Sequence, residues 1–323
     1  MKGTNIMNNK NFTVGTYPTM ITPYDSDGHI DYDAVDRLVE WYWKKGCDGI
    51  FAVCQSSEVF YLTLNERVNL AKRVKVKSDQ LASSDKSRQP MTIVASGHIS
   101  DSIPDQTYEL KQMADTGVDA IILISNRLGE KNTGDDEWIL NAEKLLKGLN
   151  EDIPLGIYEC PKPYKRLLTP KILNWCSDTG RFRFIKDTCC DGLLIKERLC
   201  LLEKTDIYLF NANAQTLLET LRYGAAGYCG VMANFHPELY VKLCRDFNKN
   251  PEQSELLQSF LCIAAFTESL AYPVTAKYHL SFLENIKMEV ICRSRDTNEL
   301  TDYQKSCIKQ LKQAADYFAA IFC

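Results

Sequence analysis

The segment VGTYPTMITPYDSDGHIDYDAVDRLVEWYWKKGCDGIFAVC, residues 14–54, contains one complete strand–helix–strand unit. Its two ends, 14–22 and 48–54, are short apolar runs of the kind that form buried strands. Between them, residues 31–46 begin with an aspartate and end with a glycine, which are common helix boundaries. The apolar residues at helical spacing in that stretch form one stripe: Val35, Leu38, Val39 and Tyr42. The segment therefore predicts a strand, a helix and a second strand.

Apolar runs of this kind recur along the chain and alternate with helix-like stretches. There are eight of them: 14–22, 48–54, 91–97, 119–125, 153–159, 182–187, 206–212 and 227–233. The runs are apolar on both faces, as parallel strands covered by helices are. Eight strand–helix repeats within about 240 residues favour a closed (β/α)8 TIM barrel over an open doubly wound sheet.

The pattern divides the chain into three parts. Residues 1–12 are polar and predict a disordered tail, and residues 13–240 predict the barrel and catalytic domain. After about residue 236 the pattern is helical, which predicts a C-terminal helical domain over 241–323. The polar stretch 78–90 interrupts the repeat and predicts a surface loop before the third strand.

Composition excludes several classes of protein. The chain has 323 residues and a net charge of −4, so no basic surplus points to nucleic acid or an anionic membrane. It has neither an apolar run long enough to span a membrane nor a signal-peptide pattern at its start. The 13 cysteines show no zinc spacing, so we expect no metal site and mostly reduced core thiols in a cytoplasmic protein.

Polar side chains at the ends of the predicted strands are the candidates for function, because TIM barrels place their active sites there. In FRFIKD, residues 182–187, Phe182, Phe184 and Lys186 alternate and share one face of a strand. A buried lysine without a partner is costly. Either the strand ends there and Lys186 reaches water, or its amine is kept neutral for chemistry.

The fifth and sixth strands are neighbours in a barrel, so Tyr158 and Lys186 are expected to face each other across its mouth. A desolvated, neutral amine can attack a ketone carbonyl and form a Schiff base, and a tyrosine hydroxyl can move the protons involved. Ser56 and Ser57 follow the second strand, where they could hold the carboxylate of a keto acid. The alternative is a lysine that extends to solvent beside a hydrogen-bonded tyrosine at the rim.

Several segments together resemble the dihydrodipicolinate synthase and N-acetylneuraminate lyase family, in register over about residues 13–320. They are PTMITPYDSDGHIDYDAVDRLVEWYWKKGCDGIFAV (18–53), YECP (158–161), FRFIKD (182–187), GAAGYCGVMAN (224–234) and YPVTAKYHLSF (272–282). The resemblance implies a (β/α)8 barrel with a C-terminal helical domain, often in a tetramer. It also implies class I aldolase chemistry on pyruvate or a related 2-keto acid, with no metal or organic cofactor.

The resemblance also assigns roles to residues of this sequence. Lys186 becomes the Schiff-base lysine and Tyr158 the tyrosine that moves protons. Ser56 and Ser57 fall in the carboxylate-binding motif, whose glutamate, Glu58, is expected to hold the loop. The backbone carbonyl of Cys229 falls where the family brings an oxygen to the site.

The chain departs from the family pattern where the second substrate binds. Gln55 replaces a hydroxyl that takes part in a proton relay, and an amide cannot relay a proton in the same way. Asn126 and Arg127 replace a tyrosine pair, and Pro163 stands where the synthases place an arginine for the aldehyde's carboxylate. The acidic residues of the sialic acid lyases fall on Ala214 and Gln215. The residues expected to bind the keto acid thus match the family pattern, and those expected to bind the aldehyde differ from it.

We therefore expect a Schiff-base lyase or aldolase that acts on a 2-keto acid and an unidentified aldehyde, as a homodimer or homotetramer. The predicted substrate-binding residues are Ser56, Ser57, Gln55, Cys229, Asn126, Arg127 and Asn211. Two alternatives stay open: a true 4-hydroxy-tetrahydrodipicolinate synthase, and a keto-acid-binding protein on an altered enzyme scaffold.

Overall fold

The computed structural model of the chain describes residues 12–323, so the tail predicted for 1–12 lies almost wholly outside the described residues. Eight parallel strands form one sheet in the order β1-β8-β7-β6-β5-β4-β3-β2. The strands are β1 Gly15–Thr16, β2 Gly49–Val53, β3 Thr92–Ala95, β4 Ala120–Ile124, β5 Leu155–Tyr158, β6 Phe182–Asp187, β7 Tyr208–Asn211 and β8 Gly227–Tyr228. The predicted eight-stranded barrel is confirmed, and the observed strands are mostly shorter than the apolar runs.

Eleven helices accompany the strands in the described part of the chain. The eight that follow the strands are α1 Tyr32–Lys44, α2 Leu64–Ser84, α3 Ile103–Ala114, α4 Asp135–Leu146, α5 Pro170–Thr179, α6 Gly192–Leu202, α7 Leu217–Arg222 and α8 Pro237–Asp246. The three C-terminal helices are α9 Pro251–Ala264, α10 Val274–Tyr278 and α11 Asp302–Phe322. Helix α8 crosses residue 240, the predicted domain boundary, so the division into two domains stays a prediction.

The barrel closes at two unequal seams. At the β1–β8 seam, Gly15 pairs with Gly227, and a Cβ on Gly227 would lie 1.8 Å from the Gly15 carbonyl oxygen. Gly227 also has a φ of +152°, so this seam requires glycine. On the other side, β1 and β2 meet through one bridge between Thr19 and Phe51, with Met20 N–H donating to the Phe51 carbonyl at 3.0 Å.

Aromatic rings fill the inside of the barrel below its mouth. Phe184 of β6 stacks on Phe210 of β7 with ring centroids 4.8 Å apart, and Tyr17 lies 4.6 Å from Phe210. Phe51 completes the group at 6.2 Å from Phe184. Such pairs add about 0.5–1.5 kcal/mol each beyond the apolar area that they bury. The interior is therefore a packed core, and ligands can enter only at the mouth.

The prediction that Phe182 shares the inner face with Phe184 and Lys186 is wrong. The Phe182 ring packs 5.6 Å from Trp175 of α5, in the layer between the sheet and the helices. The cause is an irregularity in the β5–β6 register, where one step along β5 corresponds to two along β6, from Phe182 to Phe184. Such a bulge reorients one side chain without disturbing the rest of the strand.

The surface loop predicted for 78–90 is also partly wrong, because α2 continues through Ser84. Thr63 and Glu66 form the predicted capping box at its start. Its polar extension contains neither glycine nor proline, Lys75 and Asp79 pair one turn apart at 2.8 Å, and Leu81 packs on the core. Polar residues therefore extend a helix here.

No single helix within residues 12–323 combines the length and hydropathy needed to cross a membrane, although the pair 251–269 and 274–283, bent by 113°, meets both criteria together.

Buried histidines make the fold sensitive to acid. His236 precedes α8, stacks on Tyr240 at 5.5 Å, and has no hydrogen-bond partner for either ring nitrogen among the described residues. Burial lowers the pKa of His236 to about 3. Because an unfolded histidine titrates near 6.5, the unfolded state binds more protons below that pH, and stability is lost as the pH falls.

We expect His236→Phe, which keeps the aromatic stack and removes the titrating group, to be more stable than the parent under acidic conditions. Its advantage in free energy of unfolding should be about 1.4 kcal/mol larger at pH 5.5 than at pH 7.5. Urea unfolding at both values measures this difference. His29→Gln is the control, since the His29 side chain is 78% exposed. An advantage that is the same at both pH values would contradict the prediction.

Candidate active site

Lys186 and Tyr158 face each other inside the mouth of the barrel. They are direct register partners on β6 and β5, and each is 4% exposed. The Lys186 Nζ lies 4.3 Å from the centroid of the Tyr158 ring and 5.6 Å from that of Phe51. The predicted juxtaposition is therefore present, and Lys186 does not extend to solvent at a frayed strand end.

The side chains that contact the Lys186 amine are aromatic. Within residues 12–323 the lysine forms neither a hydrogen bond nor an ion pair. Burial raises the pKa of the Cys229 thiol to about 12 and that of the Tyr158 hydroxyl well above its usual value, so both groups stay protonated near neutral pH. The Tyr158 hydroxyl thus keeps its proton, and the Tyr158 ring lies beside the amine.

Ser56 and Ser57 lie in the turn after β2 and differ in availability. The Ser57 hydroxyl is fully buried and donates to the Met20 carbonyl at 2.6 Å, with the Ala52 carbonyl as a second possible acceptor at 2.9 Å. The Ser56 hydroxyl donates to the Thr19 hydroxyl at 3.0 Å and is 7% exposed. Ser56 is therefore the better candidate for a ligand contact, and Ser57 holds the turn.

Glu58 ties this turn to the C-terminal segment. One carboxylate oxygen pairs with Lys277 Nζ at 3.0 Å, and the other accepts the backbone N–H groups of Arg293 at 2.7 Å and Ser294 at 2.6 Å. Glu58 itself has a φ of +62°, in the left-handed region that most residues avoid. Its position in the structure agrees with the loop-holding role expected from the sequence. We call the contacts of Glu58, Lys277, Arg293 and Ser294 the Glu58 clamp.

Gln55 begins the turn after β2, and its side chain reaches the loop after β5. Its side-chain oxygen accepts from the Cys160 thiol at 3.4 Å, and its side-chain NH2 has no partner in the described part of the chain. An amide in this position offers a hydrogen-bond donor and cannot relay a proton.

The structure gives Asn126 and Arg127 bracing roles. The Asn126 NH2 donates to the carbonyls of Cys160 and Lys162, at 2.8 and 2.9 Å, and also to that of Tyr164. The Arg127 guanidinium pairs with Asp101 at 2.7 Å. Both side chains hold loops around the mouth, and no contact brings them to Lys186.

Asn211 lies on the outer face of β7, because its neighbour Phe210 points into the barrel. Its NH2 donates to the hydroxyls of Thr216 at 3.0 Å and Thr220 at 2.9 Å, beside α7. The Asn211 side chain therefore points away from Lys186, although the Asn211 backbone carbonyl accepts the Cys229 N–H at 2.9 Å.

Sequence reasoning missed a buried charge cluster behind Lys186 and Tyr158. Glu159 and Asp187, the residues that follow Tyr158 and Lys186 in the chain, point outward and both bind the guanidinium of Arg198 from α6. The Glu159–Arg198 distance is 2.9 Å, and all three side chains are at most 3% exposed. Burial, with a contribution from Asp187, raises the pKa of Glu159 to about 7, and Arg198 opposes the rise. We call these three residues the Arg198 cluster.

A second missed residue, Glu268, comes from the C-terminal segment. It lies in the turn Ala265–Ser269, which packs on the turn Val231–Asn234 after β8; Thr267 Oγ1 lies 3.8 Å from Met232 Sδ. Burial raises the pKa of Glu268 to about 7, and the charge of Lys186 opposes that rise. An acidic residue within the apolar stretch LCIAAFTESLAYP, residues 261–273, was the available signal.

One group of side chains in residues 12–323 has metal-like spacing: Asp25, Asp27 and His29. It lies in an exposed turn, and Asp25 Oδ1 already accepts the backbone N–H groups of Asp27 at 3.0 Å and His29 at 2.9 Å. These contacts are those of a tight turn.

Comparison with known proteins shows which proteins this chain is similar to. A sequence model of the dihydrodipicolinate synthetase family matches residues 13–314. A 2-dehydro-3-deoxy-D-gluconate/2-dehydro-3-deoxy-phosphogluconate aldolase of Picrophilus torridus is 27% identical over 236 residues, covering 73% of this chain and 82% of that protein. A 4-hydroxy-tetrahydrodipicolinate synthase of Saccharophagus degradans is 26% identical over 233 residues, covering 71% and 74%.

A solved structure supports the fold. The dihydrodipicolinate synthase of Acinetobacter baumannii, complexed with pyruvate, superimposes with a TM-score of 0.80 at 19% identity, covering 94% of this chain and 99% of that one. At this level of identity the likeness shows a shared TIM barrel architecture.

Proposed function

The chain belongs to the dihydrodipicolinate synthetase family, whose members are aldolases, and on that premise we propose that Lys186 forms a Schiff base with pyruvate or a related 2-keto acid. The observation that carries the proposal is the register pairing of Lys186 with Tyr158 inside the mouth of the barrel. The chain is a carbon–carbon lyase of the aldolase type. Its specific substrates and its covalent mechanism are the proposal.

The chemistry follows from the groups at the mouth. In its unprotonated form the Lys186 amine attacks the ketone carbon, and the resulting carbinolamine takes up one proton and loses one water to give an iminium ion. The protonated hydroxyl of Tyr158, whose ring lies beside the amine, supplies and recovers protons. Ser56 faces the keto-acid carboxylate. Loss of a proton from the neighbouring carbon gives an enamine, which reacts with the aldehyde.

The trapping experiment is direct. Incubation of the full chain with pyruvate and sodium borohydride should add a reduced pyruvyl group to the peptide that carries Lys186, as detected by mass spectrometry. Lys186→Ala should show no adduct. Lys196→Ala, an exposed lysine on α6, is the matched control and should be labelled like the parent. Absence of an adduct over a panel of 2-keto acids, or an adduct on another lysine, would reject the mechanism.

The two alternatives make different predictions. A true 4-hydroxy-tetrahydrodipicolinate synthase would turn over aspartate semialdehyde, yet Pro163 stands at the position of the usual arginine and Arg127 is paired with Asp101. A keto-acid-binding protein would be stabilised by pyruvate without turnover. Aldol turnover that disappears with Lys186→Ala would exclude the second alternative. A cytoplasmic location and a homodimer or homotetramer stay predictions.

A further inference from the structure

A hydrogen bond crosses the mouth of the barrel from the loop after β5 to the turn after β2. The Cys160 thiol donates to the side-chain oxygen of Gln55 at 3.4 Å, with the Lys162 carbonyl as an alternative acceptor at 3.4 Å. In the sheet, β3 and β4 lie between β2 and β5, so this contact joins strands that do not pair. The same two strands also meet through the rings of Phe51 and Tyr158, edge to face at 5.5 Å. We call the contact of Gln55 with Cys160 the Gln55–Cys160 bridge.

Other contacts hold both ends of the bridge in place. Cys160 is 0% exposed, and its backbone carbonyl accepts from the Asn126 NH2 at 2.8 Å. Its N–H donates to the Tyr158 carbonyl at 2.9 Å, which ties it to the end of β5. Gln55 begins a turn in which the Ser57 hydroxyl is fully buried and donates to a backbone carbonyl at 2.6 Å. The bridge is therefore a contact between two loops that are each fixed on their own strand.

The position of the bridge bears on the spacing of two proposed ligand contacts. Gln55 directly precedes Ser56, the candidate for the keto-acid carboxylate, and Cys160 comes two residues after Tyr158. In a 2-keto acid the carboxylate is bonded to the ketone carbon, so the groups that receive the two must lie at a fixed separation. A misplacement of about 1 Å between reacting groups lowers a rate by about 100-fold.

The chemistry of the two side chains suits a fixed contact and not a proton relay. Burial raises the pKa of the Cys160 thiol, so the thiol stays protonated near neutral pH and acts as a hydrogen-bond donor. The Gln55 amide accepts that hydrogen bond and cannot relay a proton.

We propose that Cys160 is a positioning residue of the active site, which holds the end of β5 that carries Tyr158 at a fixed distance from the β2 turn that carries Ser56. The inference rests on the proposed Schiff-base function. Gln55, which stands where the family places a relay hydroxyl, supplies the acceptor for the thiol.

The exchange of pyruvate methyl protons in D2O tests this role without an aldehyde. Loss of one methyl proton from the iminium on Lys186 gives the enamine, and a deuteron from the solvent then returns to the same carbon. Deuterium in pyruvate, followed by mass spectrometry on the full chain, gives kcat and KM for the exchange. Lys186→Ala, which cannot form the iminium, supplies the background rate.

Cys160→Ala should lower kcat for the exchange roughly three- to tenfold, the effect of losing one neutral hydrogen bond, and should change KM less than about twofold. Cys160→Ser, which keeps a donor, should recover most of the loss. Gln55→Ala should lower kcat as much as Cys160→Ala. The double variant should lose no more than either single one, since both substitutions remove the same contact. Cys176→Ala is the matched control and should keep the parent kcat, because Cys176 is equally buried but lies on α5, in the layer between the sheet and the helices.

Three outcomes overturn the inference. They are a parent-like kcat in Cys160→Ala, a double variant whose loss is the product of the two single losses, and a loss in Cys176→Ala as large as that in Cys160→Ala. Borohydride trapping of pyruvate in the same samples separates this inference from the proposed function. An adduct on Lys186 of the parent with any of these outcomes rejects the role of Cys160 alone. A parent without an adduct rejects the Schiff-base function and this inference with it.

Discussion

Arg198→Met is expected to lower the free energy of unfolding by about 3–5 kcal/mol, because it leaves two buried carboxylates without their shared cation. Arg198 pairs with Glu159 at 2.9 Å and also with Asp187, and both acidic side chains are 0% exposed. Glu159 keeps only the backbone donors Leu168 N at 2.7 Å and Thr188 N at 2.8 Å. Urea unfolding of parent and variant measures the loss.

The pH dependence of that loss identifies its cause. Glu159 already has a folded-state pKa of about 7, above the value near 4.3 of an unfolded glutamate, and Arg198 is what opposes a further rise. A carboxyl with a raised folded pKa favours the fold while protonated, and this contribution is lost as the pH rises through the folded pKa. The loss in free energy of unfolding caused by Arg198→Met should therefore be smaller at pH 6 than at pH 8.

Arg222→Met is the matched control for the Arg198 cluster. Arg222 pairs with Glu255 at 2.6 Å, but the two side chains are 38% and 59% exposed. Its loss should stay within about 0.5 kcal/mol at either pH. A deficit of Arg198→Met no larger than that of this control, or one equal at both pH values, would contradict the cluster's role.

Glu58→Ala is expected to lower the free energy of unfolding by a similar amount, about 3–5 kcal/mol. The reason is that it leaves the buried ammonium of Lys277 without its carboxylate partner. The Lys277 side chain is 0% exposed, and its Nζ lies 3.0 Å from Glu58 and 4.3 Å from the centroid of the Tyr24 ring. The substitution also removes the acceptor of the Arg293 and Ser294 backbone N–H groups. The whole Glu58 clamp is lost with one side chain.

A double variant separates the charge from the rest of the clamp. Glu58→Ala combined with Lys277→Met should be more stable than Glu58→Ala alone by about 0.5–3 kcal/mol, since no unpaired ammonium remains. Glu299→Ala is the control, because Glu299 and its partner Arg295 are 50% and 38% exposed. A double variant less stable than the single one would show that Lys277 contributes to the fold without its carboxylate partner.

The barrel could be predicted because the strand-forming runs are largely apolar on both faces and several helices, such as α1 and α2, begin with capping residues. The pairing of Tyr158 with Lys186 followed from strand order alone, since consecutive strands of a TIM barrel are neighbours. Phe182 was misplaced because a bulge in strand register leaves no mark on an alternating pattern. The end of α2 could not be predicted from polarity, because exposed helical turns are as polar as loops.

The parts of the site that could not be predicted from the sequence are contacts between residues far apart in the chain. Glu159 and Arg198 are 39 positions apart, and neither lies in a motif that names the other. Glu268 lies near the turn after β8 through the packing of one turn on another, which no local pattern encodes. Asn126 and Asn211 are polar residues at strand ends, yet the first braces a loop and the second points outward. Position at a strand end therefore identifies candidates and does not assign their roles.

The Glu58 clamp can form only late in the synthesis of the protein. Glu58 contacts Lys277, 219 positions later, and the Arg293 backbone, 235 positions later. A ribosome must therefore translate nine-tenths of this sequence before the Glu58 clamp can hold the turn that carries Ser56. Contacts this distant are slow to form, and a nascent barrel exposes its hydrophobic surface until they do. The segment that holds the turn of Ser56 is therefore made late in synthesis.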